Sequence, residues 1–443
     1  MEEHEIGNIG LNWSTWKQIL AAWGGWLLDG YTTIAFLLVV PVLTGLMFPG
    51  LGYWALVLTL APAAFGAVAR VIGSTLLGNF IGDRVGRKTL LTLSILGFSL
   101  LTASIGLLPV YSQVGIAAPV LLYVILFGAG LFAGAEYGGG ASLAMESVPR
   151  KKRDIVGAFV QSGFGTGYFL IVFVDLIILG TLGLQNFVLY GWRILFLTSV
   201  IPGLLTFVVR LVSRESPVFN EMKEKKEISN APAVAMVKES YRRMIPVFLI
   251  MTGILFINTA TFSFYPIFLS STHHYTFLNY SQASRLDALL IINFISLLGV
   301  WTGGIIASNN PSRRLPMLIF AIAFTIPSAL FVYLGYTTDF NVFTLVFSIQ
   351  AFMEAMIFSL LPAFLSETFS KRYRSTAVGI AYNSGAIIGG LAWVLFLIPL
   401  GILGMQYLRP LWSLELYIAG IVMILGLYLA KESRTSDGDA IED

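Results

Sequence analysis

The 443-residue chain contains no cysteine. Disulfides, thiolate metal sites and a cysteine nucleophile are therefore excluded. Only 12% of its residues are charged, against roughly 25% in soluble domains. So little charge excludes most soluble enzyme folds and nucleic-acid modules. The formal net charge of +3 reads as loop lysine and arginine rather than a nucleic-acid footprint. Apolar sequence is what abounds: 56% of residues are hydrophobic and the mean hydropathy is +0.81.

A membrane-spanning helix needs about 20 apolar residues. Twelve runs qualify: 18–47, 54–80, 89–109, 118–145, 154–181, 190–212, 244–270, 286–307, 315–336, 341–365, 375–403 and 409–430. They are long and do not alternate, unlike barrel strands. Met1 to Ile6 is acidic rather than basic, and the first run is too long for a cleaved signal peptide. Of the 27 lysines and arginines, all but Arg70, Arg193, Arg285 and Arg409 precede the first run or lie at or beyond the end of an even-numbered one. The positive-inside rule then predicts an all-α, multi-pass protein of the cytoplasmic membrane with both termini inside. Residues 214–243 are polar and include the run Glu221 to Glu227. They are expected to form a cytoplasmic linker between a bundle over 1–213 and a second over 244–434. The acidic residues 435–443 read as a disordered tail.

The halves echo one another. Gly82-Asp83-Arg84-Val85-Gly86-Arg87-Lys88 follows the second run, and Ser308-Asn309-Asn310-Pro311-Ser312-Arg313-Arg314 follows the eighth. Glu146 to Arg153 follows the fourth, and Glu367 to Arg374 the tenth. Such recurrence near half the chain length points to duplication of a six-helix unit. The segment Gly82 to Lys88 resembles the cytoplasmic signature of the major facilitator superfamily. That resemblance implies two six-helix bundles with a substrate site between them. It also implies that Asp83 contacts the start of helix 11 and that Gly82, Arg84, Gly86, Arg87, Glu146, Arg153, Glu367 and Arg374 serve gating. The second copy has lost its acid to Asn309 and Asn310, so a weaker latch is expected there. Leu28-Asp29-Gly30-Tyr31, Ala69 to Gly73, Ala135-Glu136-Tyr137-Gly138, Glu146-Ser147-Val148-Pro149, Ser162 to Gly165 and Gly191-Trp192-Arg193 narrow it. They resemble the branch that holds bacterial sialic acid permeases and fungal lactate permeases. Arg214-Glu215-Ser216-Pro217-Val218-Phe219 is similar to a segment shared with metabolite:proton symporters and sugar porters. That branch usually carries a second acid in the first helix, where this chain has Thr32 and Thr33.

Ionisable residues inside spans are costly and point to function. Counted from the helix ends, Asp29, Arg70, Glu136 and Glu354 all lie about 15–17 Å deep at 1.5 Å per residue, in one expected layer. Asp29, Glu136 and Arg70 are the candidates for proton coupling, because one carboxylate can pair with the arginine while the other holds a proton. Arg70, Tyr31, Tyr137, Gln161, Tyr168, Asn258, Tyr265, Asn293, Gln350, Glu354, Tyr382 and Asn383 are the candidate substrate contacts. Gln161, Tyr168 and Asp175 share one helix face at a spacing of seven. Trp393 is placed on the same wall as Tyr382. Glu415 and Arg193 fall near helix ends and read as interfacial. His273 and His274 have no third ligand, so no metal site is expected. Gly82 to Thr89 lacks the strand and spacing of a phosphate loop. No nucleophile–base constellation, cofactor motif or nucleic-acid partner is expected.

These readings lead to a monomeric secondary transporter that moves a small organic anion, a monocarboxylate or acidic sugar, with protons by alternating access. Membrane lipid is its expected surrounding. A neutral-sugar symporter or uniporter is the alternative, with Arg70 occupied by an acid. A non-transporting sensor is a third possibility, although it would carry a larger cytoplasmic extension.

Overall fold

The computed structural model describes residues 11–227, 232–269, 271–272, 275–276 and 281–432. His273, His274 and the tail 435–443 lie outside the described residues, as does part of the expected linker. The main helices are α1 (Trp13–Met47), α2 (Tyr53–Gly82), α3 (Arg87–Ile105), α4 (Ala117–Glu146), α5 (Arg153–Asn186) and α6 (Val200–Val212). A short helix, Pro217–Glu224, leads to α7 (Ala233–Phe268), α8 (Gln282–Ser308), α9 (Arg314–Gly335), α10 (Phe340–Thr368), α11 (Arg374–Leu403) and α12 (Leu408–Leu429). Helices dominate because a chain in lipid must satisfy its backbone polar groups internally. The described strands are the two-residue pair β1 (Ser271–Thr272) and β2 (Tyr275–Thr276), which follow α7.

Eleven described helical stretches are long and apolar enough to cross a membrane, where the sequence suggested twelve. The difference lies in Arg150–Val212, which counts as one stretch of 63 residues although a turn at Thr198 and Ser199 interrupts it. Its dihedral break falls at Gly183, whose φ is +70°. Glycine has no Cβ and adopts this left-handed conformation without the usual steric cost.

The packing has an internal repeat. In the first half α1 lies against α5, α2 against α4, and α3 against α6. In the second half α7 lies against α11, α8 against α10, and α9 against α12. The halves meet where α2 and α4 pack on α11, and where α5 packs on α8. Small residues permit the close crossings. A Cβ on Gly138 would run into Gly379 of α11, and one on Gly304 would meet Ala158 of α5. Away from the core, exposed side chains such as Leu204, Leu205, Ile291, Leu345 and Ile421 are apolar. Water is the wrong solvent for such a surface and a lipid tail the right one.

Candidate functional site

Within the bundle lies a cavity of about 240 Å³, lined by residues of α1, α2, α3, α4, α5, α7 and α11. Asp29, Arg70, Tyr382 and Asn383 line one end. Arg70 and Asp29 form a two-pronged ion pair, with Nη1 donating to Oδ2 at 3.2 Å and Nη2 to Oδ1. Asp29 is buried, while the Arg70 side chain keeps 20% exposure. Arg70 thus lines the cavity while paired with Asp29. Thr259 and Ser263, in a π-helical turn of α7, also line it. Such turns are frequent at functional sites.

A smaller chamber of about 50 Å³ lies behind Phe164, Asn258 and Tyr382, which line both spaces. Gln161, Asn293 and Ser296 are its polar lining, among mostly apolar neighbours. Asn293 Nδ2 donates to Gly165 O at 2.7 Å, and Gln161 Oε1 has no hydrogen-bond partner.

The expected single layer of four charges resolves into separate pairings. Glu136 does not face Arg70. It bonds Arg210 of α6 and accepts from Ser94 Oγ at 2.7 Å. Arg210 also donates to the carbonyls of Ala21 and Leu91. Glu354 has only neutral donors in hydrogen bond, Asn258 Nδ2 at 3.0 Å and Thr261 Oγ1 at 2.6 Å. Three further candidates are committed to the protein itself. Tyr31 bonds Thr198 at 2.8 Å, Tyr168 donates to Phe262 O at 3.3 Å, and Tyr265 donates to Gln350 Oε1 at 2.8 Å. None of them, nor Gln350, Glu354 or Tyr137, lines either space. Tyr137 stacks on Tyr382 with ring centroids 3.7 Å apart, and so supports it from beneath. Trp393 lines the larger cavity. Asp175 is fully buried with neither oxygen hydrogen-bonded, and it faces Arg285 electrostatically. Arg285, expected in a loop, is a buried residue of α8 that reaches Leu38 O. Glu415 is likewise without a hydrogen-bond partner, whereas Arg193 holds the carbonyls of Gly106 and Leu108.

At the basic end of the bundle, paired charges tie the halves together. Asp83 accepts from the backbone of Ser375 at 3.2 Å and of Thr376 at 2.8 Å, capping the start of α11. A carboxylate there complements the helix dipole. Arg87 Nη2 lies 3.2 Å from Asp83 and its Nε 3.6 Å from Glu146. Glu146 also bonds Arg374 at 3.0 Å. Gly82 packs on Ser375, where a Cβ would crowd it. Arg84 sits over the Phe80 ring. Gly86, at φ +145°, leaves room for Glu215, whose carboxylate accepts the N–H groups of Arg87 and Lys88. The second copy is built alike. Arg153 bonds Glu367 at 2.8 Å, Arg313 bonds Glu367 and Asp154, and Glu432 accepts the N–H groups of Arg313 and Arg314. Asp154 of α5 gives Arg313 an acidic partner where the loop itself has none. Burial pushes the carboxyls of Asp83 and Glu215 above the ordinary range, against the pull of Arg87 and the hydrogen bonds they accept.

Sequence reasoning missed Arg210, Asp154, Glu215 and Glu432 as partners. Arg210 had a signal: it falls inside the sixth apolar run, where an arginine needs an acid.

A cavity with a charged pair, inside a bundle of apolar helices with repeated halves, defines a membrane carrier. The family model of the Major Facilitator Superfamily matches residues 32–393, and the chain belongs to that family of transporters. It is 31% identical to the inner membrane metabolite transport protein YhjE of Escherichia coli, covering 85% of this chain and 84% of that one. A metabolite transport relative from Haemophilus influenzae is also 31% identical, with 86% and 87% covered. The structure of the proton:xylose symporter XylE superposes with a TM-score of 0.76 at 18% identity, covering 97% and 98%. The chain is thus a multi-pass membrane transporter with the major facilitator fold.

Proposed function

We propose that this transporter is a symporter of a small organic anion and protons, akin to the sialate and lactate permease branch. The observation that carries this is the Arg70 guanidinium, paired with buried Asp29 and still open to the cavity. Guanidinium matches a carboxylate bidentately, so an entering anion competes with Asp29 for Arg70. Asp29 displaced from its cation in a buried site takes up a proton. Substrate and proton then load together, with Asp29 as the proton carrier and Arg70 as the switch. Glu136, already fully partnered, is assigned to holding α4 on α6. Gln161, Asn258, Asn293, Tyr382 and Asn383 remain the neutral contacts.

The stretch Arg150–Val212 supports two passes. At 1.5 Å per residue its 63 residues would extend about 95 Å, some three times the hydrocarbon thickness. The chain turns back after Gly183, and α6 packs against α1 and α3. Twelve passes in two halves follow, with the basic end and both termini in the cytoplasm by the positive-inside rule. The cytoplasmic membrane, home of the relative YhjE by its name, is the proposed location, and the monomer the working unit.

A second reading is a neutral sugar as cargo. The fold of the proton:xylose symporter and the existing Arg70–Asp29 pair favour it. Reconstituted vesicles with an imposed pH gradient separate the two. Gradient-driven uptake of carboxylates, lost in Arg70→Ala, is expected. Uptake restricted to uncharged sugars would overturn the anion reading.

A further inference from the structure

The walls of the larger cavity are chemically lopsided. Charge sits at one end only, at Asp29 and Arg70. Phe36, Leu37, Phe98, Ile105, Leu126 and Trp393 line the rest, together with small residues of α2 and α11. A polyhydroxylated ligand would need a hydrogen-bonding group opposite each hydroxyl, since a buried polar group without a partner is costly. Several of the polar residues present have their donors engaged within the protein, while Thr33, Thr102, Ser263 and Tyr382 also line the space. Asn258 Nδ2 is committed to Glu354. Asn383 Nδ2 is committed to the carbonyls of Gly134 and Gly379. The hydroxyls of Thr32 and Thr259 donate to carbonyls of their own helices, Leu28 and Leu255. The polar trio Gln161, Asn293 and Ser296 lies in the separate small chamber, behind Phe164 and Tyr382. At about 50 Å³ that chamber has room for a water molecule or two, each of which occupies roughly 30 Å³ in the liquid.

The geometry points to an amphipathic monocarboxylate as cargo: one carboxylate on Arg70, and a compact aromatic or branched aliphatic body against the apolar walls, in place of an acidic sugar. This rests on the anion reading above and narrows it. The cavity of about 240 Å³ falls below the roughly 300–1,000 Å³ of drug-sized ligand sites, so the body is small. Each methylene buried against the walls adds about fourfold in affinity, and a hydroxyl in the same place removes that gain.

The test uses the purified full chain in lipid nanodiscs, with benzoate, gluconate and benzyl alcohol as probes in titration calorimetry. Benzoate is expected to bind at least about tenfold more tightly than gluconate. Arg70→Gln is expected to weaken benzoate about tenfold or more, through loss of the bidentate contact. Ile105→Thr and Leu126→Gln change the wall and leave the ion pair in place. Each is expected to weaken benzoate about fourfold or more while gluconate stays unchanged or improves. Their unfolding temperatures, measured alongside, separate a wall effect from misfolding. Gluconate binding as tightly as benzoate, and lost in Arg70→Gln, would overturn the apolar-body assignment and leave the anion reading standing. Benzyl alcohol binding as tightly as benzoate, with no effect of Arg70→Gln, would overturn the anion reading and this assignment with it. Failure of benzoate to bind at millimolar concentration overturns the assignment as well.

Discussion

Two acid–arginine pairs in the first half have opposite characters. Glu136 and Arg210 are both buried, and both are saturated by further bonds to Ser94 and to the carbonyls of Ala21 and Leu91. Asp29 and Arg70 bond each other only, and Arg70 borders the cavity. The first pair has nothing left to give a ligand. The second has an open edge and can trade partners. Within a single bundle, the contrast teaches that depth marks a charge as important, while the count of remaining hydrogen-bond sites decides whether it can switch.

The largest effect is expected from breaking the open pair. Asp29→Asn removes the titrating group and keeps the cavity's shape. Accumulation driven by a pH gradient in reconstituted vesicles should be abolished, while exchange of substrate for substrate survives, because exchange moves no net proton. Retained uphill accumulation would deny Asp29 the coupling role. Arg70→Ala should differ: it removes a charge-assisted contact worth about 1.5–3 kcal/mol, roughly 10- to 150-fold in affinity for a carboxylate. Counterflow measured over a range of substrate concentrations reads this as a raised half-saturation.

Breaking the closed pair should act on the fold. Glu136→Gln leaves Arg210 buried without its counter-charge, a change that costs about 3–5 kcal/mol. Thermal unfolding in detergent should shift downward, and Arg210→Met in the same chain should recover much of the loss by removing the orphaned cation. If Glu136→Gln unfolds like the parent and stops gradient-driven uptake, the assignments of the two pairs are reversed.

A smaller effect sharpens the comparison sterically. Gly25 of α1 lies against the Glu136–Arg210 contact, and a Cβ there would collide with both side chains. Gly25→Ala should therefore cost about 1–3 kcal/mol, as overpacked cores do, again visible in thermal unfolding. The corresponding change beside the open pair, Ala67→Gly on the cavity wall, removes a methyl where there is already space and should cost less than Gly25→Ala.

Most helix limits were legible in the sequence, because runs of about 20 apolar residues bounded by basic clusters leave little choice of register. The direction of each side chain was not. A helix turns about 100° per residue, so Glu136 and Arg70, counted to the same layer, point to different neighbours. The partners of the second latch were hidden for a related reason. Its loop lacks an acid, and Asp154, from the start of α5, fills the role for Arg313. A loop motif reports its own residues and not the partners that tertiary packing brings. The fifth and sixth runs were read as separate from composition, and the backbone between them is non-helical at Gly183.

A third carboxylate, between the two extremes in its surroundings, gives the smallest expected effect. Asp83 lies outside the spans at the basic end, holds the start of α11 across the seam, and is buried like Glu136. Burial raises its pKa above the ordinary value, with Arg87 and Thr376 opposing. In a solvated, opened end the same group returns toward about 3.9. The closed state therefore binds the Asp83 proton more tightly than the open one. By linkage, Asp83's contribution to closure is fully present below about pH 4 and declines as pH rises through its raised value. Labels placed at paired single cysteines on α2 and α11, introduced into a chain that has none of its own, report the distance across this end. They should show the closed population falling as pH climbs through that window. Asp83→Asn cannot titrate and should flatten this part of the profile, while the Arg374–Glu146 and Arg153–Glu367 bridges continue to hold the halves. A profile that keeps its slope in Asp83→Asn would move the pH response to another group, Glu215 being the next, since burial raises its carboxyl as well.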